Sequence, residues 1–131
     1  MQTTALGDDG VQTVRYWLYA PGRGACMWEE FYERGVMGLG WHQLGDLRGY
    51  ATKEEMRQRL LETRDDNTSQ TNSARAVWQF ANEMKPGDVI FVKRGLKEII
   101  GRGVVTGDYV YDPDGGEYPH LRETSLTPII E

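Results

Sequence analysis

The sequence predicts a mixed α+β domain, a curved, mostly antiparallel β-sheet of about five or six strands flanked by about three helices. Three observations predict it. Runs rich in β-branched and aromatic residues, VRYWLYA at 14 to 20, VIFV at 89 to 92 and IIGRGVVT at 99 to 106, are bounded by glycine or proline turns. Between them, RGACMWEEFYERG and SARAVWQFANEM carry apolar residues at helical spacing. At 131 residues the chain is long enough for one hydrophobic core without disulfides or metals.

Residues 1–13, MQTTALGDDGVQT, are polar and without period, and read as a flexible N-terminal arm that leaves 14–131 as one domain. Val14 to Ala20 is a strand stopped by Pro21 and Gly22. In the helix that follows, Met27, Trp28, Phe31 and Tyr32 fall on one side, Cys26 reads as a small buried hydrophobe, and Gly35 is the stop. Val36 to Leu39 forms a second strand running into Gly40 and Trp41. Thr52 and Glu55 have capping-box spacing and open a largely solvated helix with Met56, Leu60 and Leu61 as its apolar stripe. Residues 65 to 72 are a polar linker. The third helix turns Ala74, Val77, Trp78, Ala81 and Met84 to the core. After the turn KPGD come two strands joined by a basic loop at Arg94 and Gly95. Gly101 and Gly103 interrupt the second of these and predict a bulge or bend. Tyr109 to Tyr111 extend it, and Leu121 to Ile130 is a last strand, interrupted by Pro128. The strands at the end of the chain read as an antiparallel meander.

Composition narrows the function. Fifteen Lys and Arg against 20 Asp and Glu give a formal charge of −5, so any contact with a polyanion must be local. A single cysteine excludes an internal disulfide, and no run has the length of a signal peptide or membrane span, which predicts a cytoplasmic protein. The chain has no Walker loop, CxxC, HExxH or GxSxG, and neither His42 nor His120 stands at metal-ligand spacing. No catalytic residue, metal or cofactor is therefore expected, and a binding module is favoured over an enzyme.

Aromatic residues are plentiful, with 4 Trp, 7 Tyr and 3 Phe, so their positions decide. In GVMGLGWHQLGDL, Trp41 follows a strand end and reads either as a lid on the core or as the wall of a pocket for a flat ligand. Trp17 and Tyr19 share one face of the first strand, where Trp17 either lines a pocket floor or fills the core. Asp46 reads as a turn cap or as an acceptor for an exocyclic amine, and His42 as a contact to a base edge or an idle loop residue. Lys85, Lys93, Arg94, Lys97 and Arg102 lie within 18 positions opposed by Asp88 and Glu98, five positive charges against two, a local +3. That hairpin either lies along phosphates or guards a sheet edge. Arg23 and Arg48 flank the expected mouth of the site.

With WQFANEMKPGDVIFVKRGLKEIIGRGVV at 78 to 105 and GWHQLGDL at the right distance upstream, the chain resembles the EVE domain of the PUA superfamily over roughly residues 14 to 126. It is more narrowly similar to the EVE-like modules that precede the GTPase of McrB-type, modification-dependent restriction systems. The resemblance implies a PUA-like pseudo-barrel with a concave site. In relatives such as YTH domains a modified base sits in an aromatic cage. Trp41 matches one wall, Tyr19, Ala20, Pro21 and Gly22 match the base-edge contacts, and a second wall falls to Tyr109, Tyr111 or Tyr118. The implied function is to read a modified base in DNA, such as methylated or hydroxymethylated cytosine or methylated adenine, flipped into the cage. Phosphates would meet Arg23, Arg48, Lys93, Arg94 and Lys97. A fused or associated GTPase or nuclease would supply the chemistry, with no membrane involved. The alternative is an RNA-binding PUA-like module in translation or RNA modification.

Overall fold

The computed structural model describes residues 13–63 and 71–129, so the expected arm, but for Thr13, and most of the expected linker lie outside the described residues. The elements are β1 (Tyr16–Tyr19), α1 (Trp28–Arg34), β2 (Val36–Leu39), α2 (Lys53–Glu62), α3 (Thr71–Trp78), β3 (Val89–Arg94), β4 (Glu98–Tyr111) and β5 (His120–Pro128). The five strands form a mostly antiparallel sheet in the order β1-β3-β4-β5-β2, with β1 parallel to β3 and β3 antiparallel to β4. A mixed α+β fold with five strands and three α-helices among the described residues is thus observed. The chain divides into two compact units. The first comprises Met1–Met37, Lys85–Asp108 and Arg122–Glu131, the second Gly38–Met84 and Tyr109–Leu121.

In the first unit, alternation along the strands sets Ile90, Val92 and Tyr19 into the core with Phe31, Met37 and Val105. Asp88 ties β1 to the start of β3. Its carboxylate is 2% exposed and accepts from the backbone N–H of Arg15 at 3.3 Å, the backbone N–H of Lys85 at 3.1 Å and the Trp17 indole N–H at 2.9 Å. A buried carboxylate stripped of such donors would be costly, so the bonds from Arg15 and Trp17 fix where β1 docks, and the one from Lys85 closes the turn before β3. The bulge expected near the paired glycines is present. Val92 pairs with Gly101 but Lys93 with Ile99, which leaves Ile100 as the extra residue. Gly101 has a second reason to lack a side chain, since a Cβ there would lie 2.5 Å from Cη2 of Trp28. The six-membered ring of Trp28, on α1, therefore packs against the sheet at Gly101. Gly35 ends that helix in the left-handed region at φ 68°, as a C-terminal glycine should. Cys26 departs from expectation: it lies outside α1, in the turn before it, and is exposed. The positive φ of Gly24 and Ala25 delays the helix to Trp28 and turns the thiol outward.

In the second unit, α2 opens on Thr52, whose hydroxyl accepts from Glu55 N–H at 3.2 Å, while the Glu55 carboxylate accepts from Ala51 N–H at 2.9 Å. Met56 and Leu60 are buried on its inner stripe. α3 departs from the expected register. Ala74, Val77 and Met84 are buried as predicted, but Phe80 takes the remaining inward place and Trp78 and Ala81 are half-buried. The cause is a π-turn over Gln79–Glu83, closed by Met84 N–H to Gln79 carbonyl at 2.8 Å, which inserts one residue into the helical repeat.

Because a Cβ at Gly101 meets a ring and not a flexible chain end, Gly101→Ala is expected to destabilise the protein by about 1–3 kcal/mol, read as a lowered urea midpoint. An unchanged midpoint would show that the Trp28 ring yields freely.

Candidate nucleic-acid interface

The residues expected to bind a base and its phosphates are distributed over both units. Trp17, Tyr19, Ala20, Pro21, Gly22, Arg23, Lys93, Arg94 and Lys97 belong to the first; Trp41, His42, Asp46, Arg48, Tyr109 and Tyr111 belong to the second.

The second unit holds an arrangement centred on Trp41. After β2, the chain passes Gly40 and places Trp41 at φ 60°, ψ 48°, a left-handed conformation that a bulky side chain rarely adopts. The Trp41 carbonyl accepts two hydrogen bonds, from Leu44 N–H at 3.1 Å and from His120 Nε2 at 3.1 Å. A carbonyl can only accept, so Nε2 carries the hydrogen. The neutral ring then offers Nδ1 as an acceptor, which takes the hydrogen of the Tyr109 hydroxyl at 2.8 Å. The Tyr109 oxygen in turn accepts from Leu47 N–H at 3.0 Å. The result is a directed relay from Leu47 through Tyr109 and His120 to the Trp41 backbone. With the hydrogen on Nε2 of a neutral ring, each remaining link has one sense open to it.

Electrostatics hold the relay in that state. Burial pulls the His120 pKa below its ordinary value near 6.5, against the opposing pull of its bond to the Trp41 carbonyl and of Asp46, with His42 adding to the lowering. Burial likewise pushes the Tyr109 hydroxyl up to about 12, so it remains a donor. The imidazole packs beside two rings, Tyr109 at 5.8 Å and Tyr111 at 5.7 Å between centroids. Phe80 meets Tyr109 edge-on at 6.2 Å and 86°.

Several expected ligand contacts are engaged within the protein. Tyr109, expected on the pocket wall, is 7% exposed, and its hydroxyl is bonded on both sides. Tyr19, expected at the base edge, is buried at 5% exposure. Trp17 spends its indole N–H on Asp88. Asp46 caps the turn at Leu47–Gly49, accepting from Arg48 N–H at 3.0 Å. The Arg48 guanidinium grips the same carboxylate through Nε at 3.0 Å and Nη2 at 2.7 Å, and lies 5.7 Å from the centre of the Tyr109 ring. Arg94 is likewise bound to Glu98, through Nε at 3.1 Å and Nη2 at 3.0 Å. Ala20, Arg23, His42 and Lys97 are exposed, Pro21 is buried, and Gly22, Trp41, Lys93 and Tyr111 are half-buried.

His120 is the member of this relay that sequence reasoning missed. A signal existed: Tyr109 and Tyr111 share a strand face, and the turn closed by Asp112 N–H to Pro119 carbonyl at 2.7 Å returns the next residue alongside them. Among the described residues no helix is long and apolar enough to cross a membrane.

The family described as a domain of unknown function, DUF8426, matches residues 17–125, and the chain belongs to that family. No curated protein and no solved structure matches the chain.

A histidine kept neutral by folding makes stability depend on pH with a definite sign. Between its lowered native pKa and the unfolded value near 6.5 the unfolded chain binds more protons, so stability rises with pH. The contribution is fully present above that value and is lost as pH falls towards and through the native one. Urea midpoints are expected to be level above neutrality and to decline towards about pH 5, and His120→Gln to remove that slope. An identical slope in the variant would assign it elsewhere.

Proposed function

We propose that this DUF8426 domain is a nucleic-acid reader that binds a modified base in DNA, using the Trp41 indole as a stacking wall. The observation that carries the reading is the backbone at Trp41. A left-handed conformation costs a bulky residue about 1–2 kcal/mol, and glycine would occupy it without that cost. Here a tryptophan is kept in it by two hydrogen bonds to its own carbonyl, one from a buried relay. Strain that the surroundings hold in place is a frequent mark of binding sites, because it aims a side chain before the ligand arrives.

The energetics suit a base turned out of a duplex. Extrusion costs a few kcal/mol, and stacking on aromatic surface returns roughly 1–3 kcal/mol per base. A methyl or hydroxymethyl group adds about 1 kcal/mol per buried carbon, enough for a preference between modified and plain base. Arg48 and Arg94 are held by carboxylates and so are less suited to phosphate than a cation without such a bond. The domain would deliver a GTPase or nuclease, fused or associated, to modified DNA. A cytoplasmic setting accompanies this reading, and an exposed thiol at Cys26 suits a reducing compartment.

The test is a binding panel of duplex DNA with and without methylated or hydroxymethylated cytosine and methylated adenine, beside single-stranded RNA. Modified duplex is expected to bind best. Trp41→Ala is expected to weaken that binding about tenfold or more while lowering stability by no more than about 1 kcal/mol. Trp41→Gly is expected to lose binding equally and to be about 0.5–1 kcal/mol more stable than Trp41→Ala, because only glycine is at ease at that φ. A loss of stability of about 3 kcal/mol or more in Trp41→Ala would place the indole in the core and end the reading. Best binding to RNA would replace it with an RNA-binding module.

A further inference from the structure

In the first unit, an open hollow of about 470 Å³ is lined by Tyr16, Trp17, Leu18 and Phe91, a size within the range of small-ligand sites. Tyr16 and Leu18 point away from the face that carries the buried Ile90 and Val92. The parallel register sets Leu18 opposite Phe91, and Tyr16 stacks on Phe91 with centroids 6.0 Å apart and planes within 11°. Leu18 is 69% exposed. Two cations share this face. Arg102 is the cross-strand partner of Phe91, and Lys93 follows Phe91 by two residues on β3. An aromatic pair beside a solvent-facing aliphatic residue, flanked by guanidinium and ammonium groups, combines the two elements that hold single strands: ring faces for bases and fixed positive charge for the backbone.

We propose that this face binds single-stranded DNA, with a base stacked on the Tyr16–Phe91 pair and adjacent phosphates on Lys93 and Arg102. Pairing with a second copy through the same edge would bring the like charges of both copies together, which disfavours it. The C5-methyl of thymine adds apolar surface to a hollow lined by Tyr16, Trp17, Leu18 and Phe91, which favours thymidine over uridine. The contacts it rests on, Tyr16, Leu18, Phe91, Lys93 and Arg102, do not include Trp41, and it stands whether or not that reading does.

The full chain is titrated with labelled oligothymidine and followed by fluorescence anisotropy over a range of salt. The parent is expected to bind, with Tyr16→Ala and Leu18→Asp each weaker by about tenfold or more, and Arg102→Glu weaker with a flatter salt dependence. Leu18 is exposed enough that its variant should keep the parent's circular dichroism, so weakened binding is not mistaken for unfolding. The proposal is overturned if the parent fails to bind, if Leu18→Asp binds unchanged, or if oligouridine binds more tightly than oligothymidine. A concentration-dependent dimer abolished by Leu18→Asp would also overturn it and assign the face to a second copy.

Discussion

A neutral imidazole has one hydrogen to give and one lone pair to offer, and in His120 both are committed. The hydrogen goes to the Trp41 carbonyl and the lone pair to the Tyr109 hydroxyl, which is itself held by Leu47 N–H. Because every link has a fixed sense, no member of the relay can turn over alone. Protonating the ring would set a second N–H against the Tyr109 hydroxyl hydrogen, and that hydroxyl could not then keep its place as donor. The placement of Trp41 thus depends on the protonation state of a side chain 79 residues away in sequence.

The first unit rests on a comparable restriction with the opposite polarity. The Asp88 carboxylate can only accept, and three donors, two of them backbone amides, converge on it. One of those donors is Trp17, whose ring also receives the Arg15 guanidinium at 4.6 Å from its centre. Arg122 is buried in the same unit and donates to the Gly107 carbonyl at 2.9 Å. Burial lowers its pKa, while Asp108 and Asp88 oppose that change. The indole of Trp17 is consequently a structural hydrogen-bond donor first, and only its ring surface is available to a visitor.

What the sequence revealed followed local rules. Gly35 stops a helix, Thr52 caps one, and the paired glycines of β4 accompany a bulge, because each of these depends on neighbours a few residues away. Strand alternation correctly set Trp17 with Tyr19 and Tyr16 with Leu18. What stayed hidden required partners distant in the chain or a break in period. Nothing in YPHLR shows that the imidazole will meet the carbonyl of Trp41, and nothing in KPGDV shows that Asp88 will be buried beneath β1. The π-turn after Trp78 exchanged Phe80 for its neighbours on the core face, which no regular helical spacing anticipates. Arg48 and Arg94 looked like phosphate ligands because a carboxylate two or four residues away gives no sign, from sequence, of whether it will close on them.

The parallel docking of β1 on β3 has a consequence for the order in which the chain matures. Its anchoring bonds span 71 and 73 residues, so an emerging polypeptide must carry YWLY unpaired until the ribosome has passed Asp88. Short-range helical contacts such as those of α2 can form well before that. For much of synthesis the most aromatic segment of the protein would therefore be open to chaperones, and to misassociation with its neighbours on a polysome.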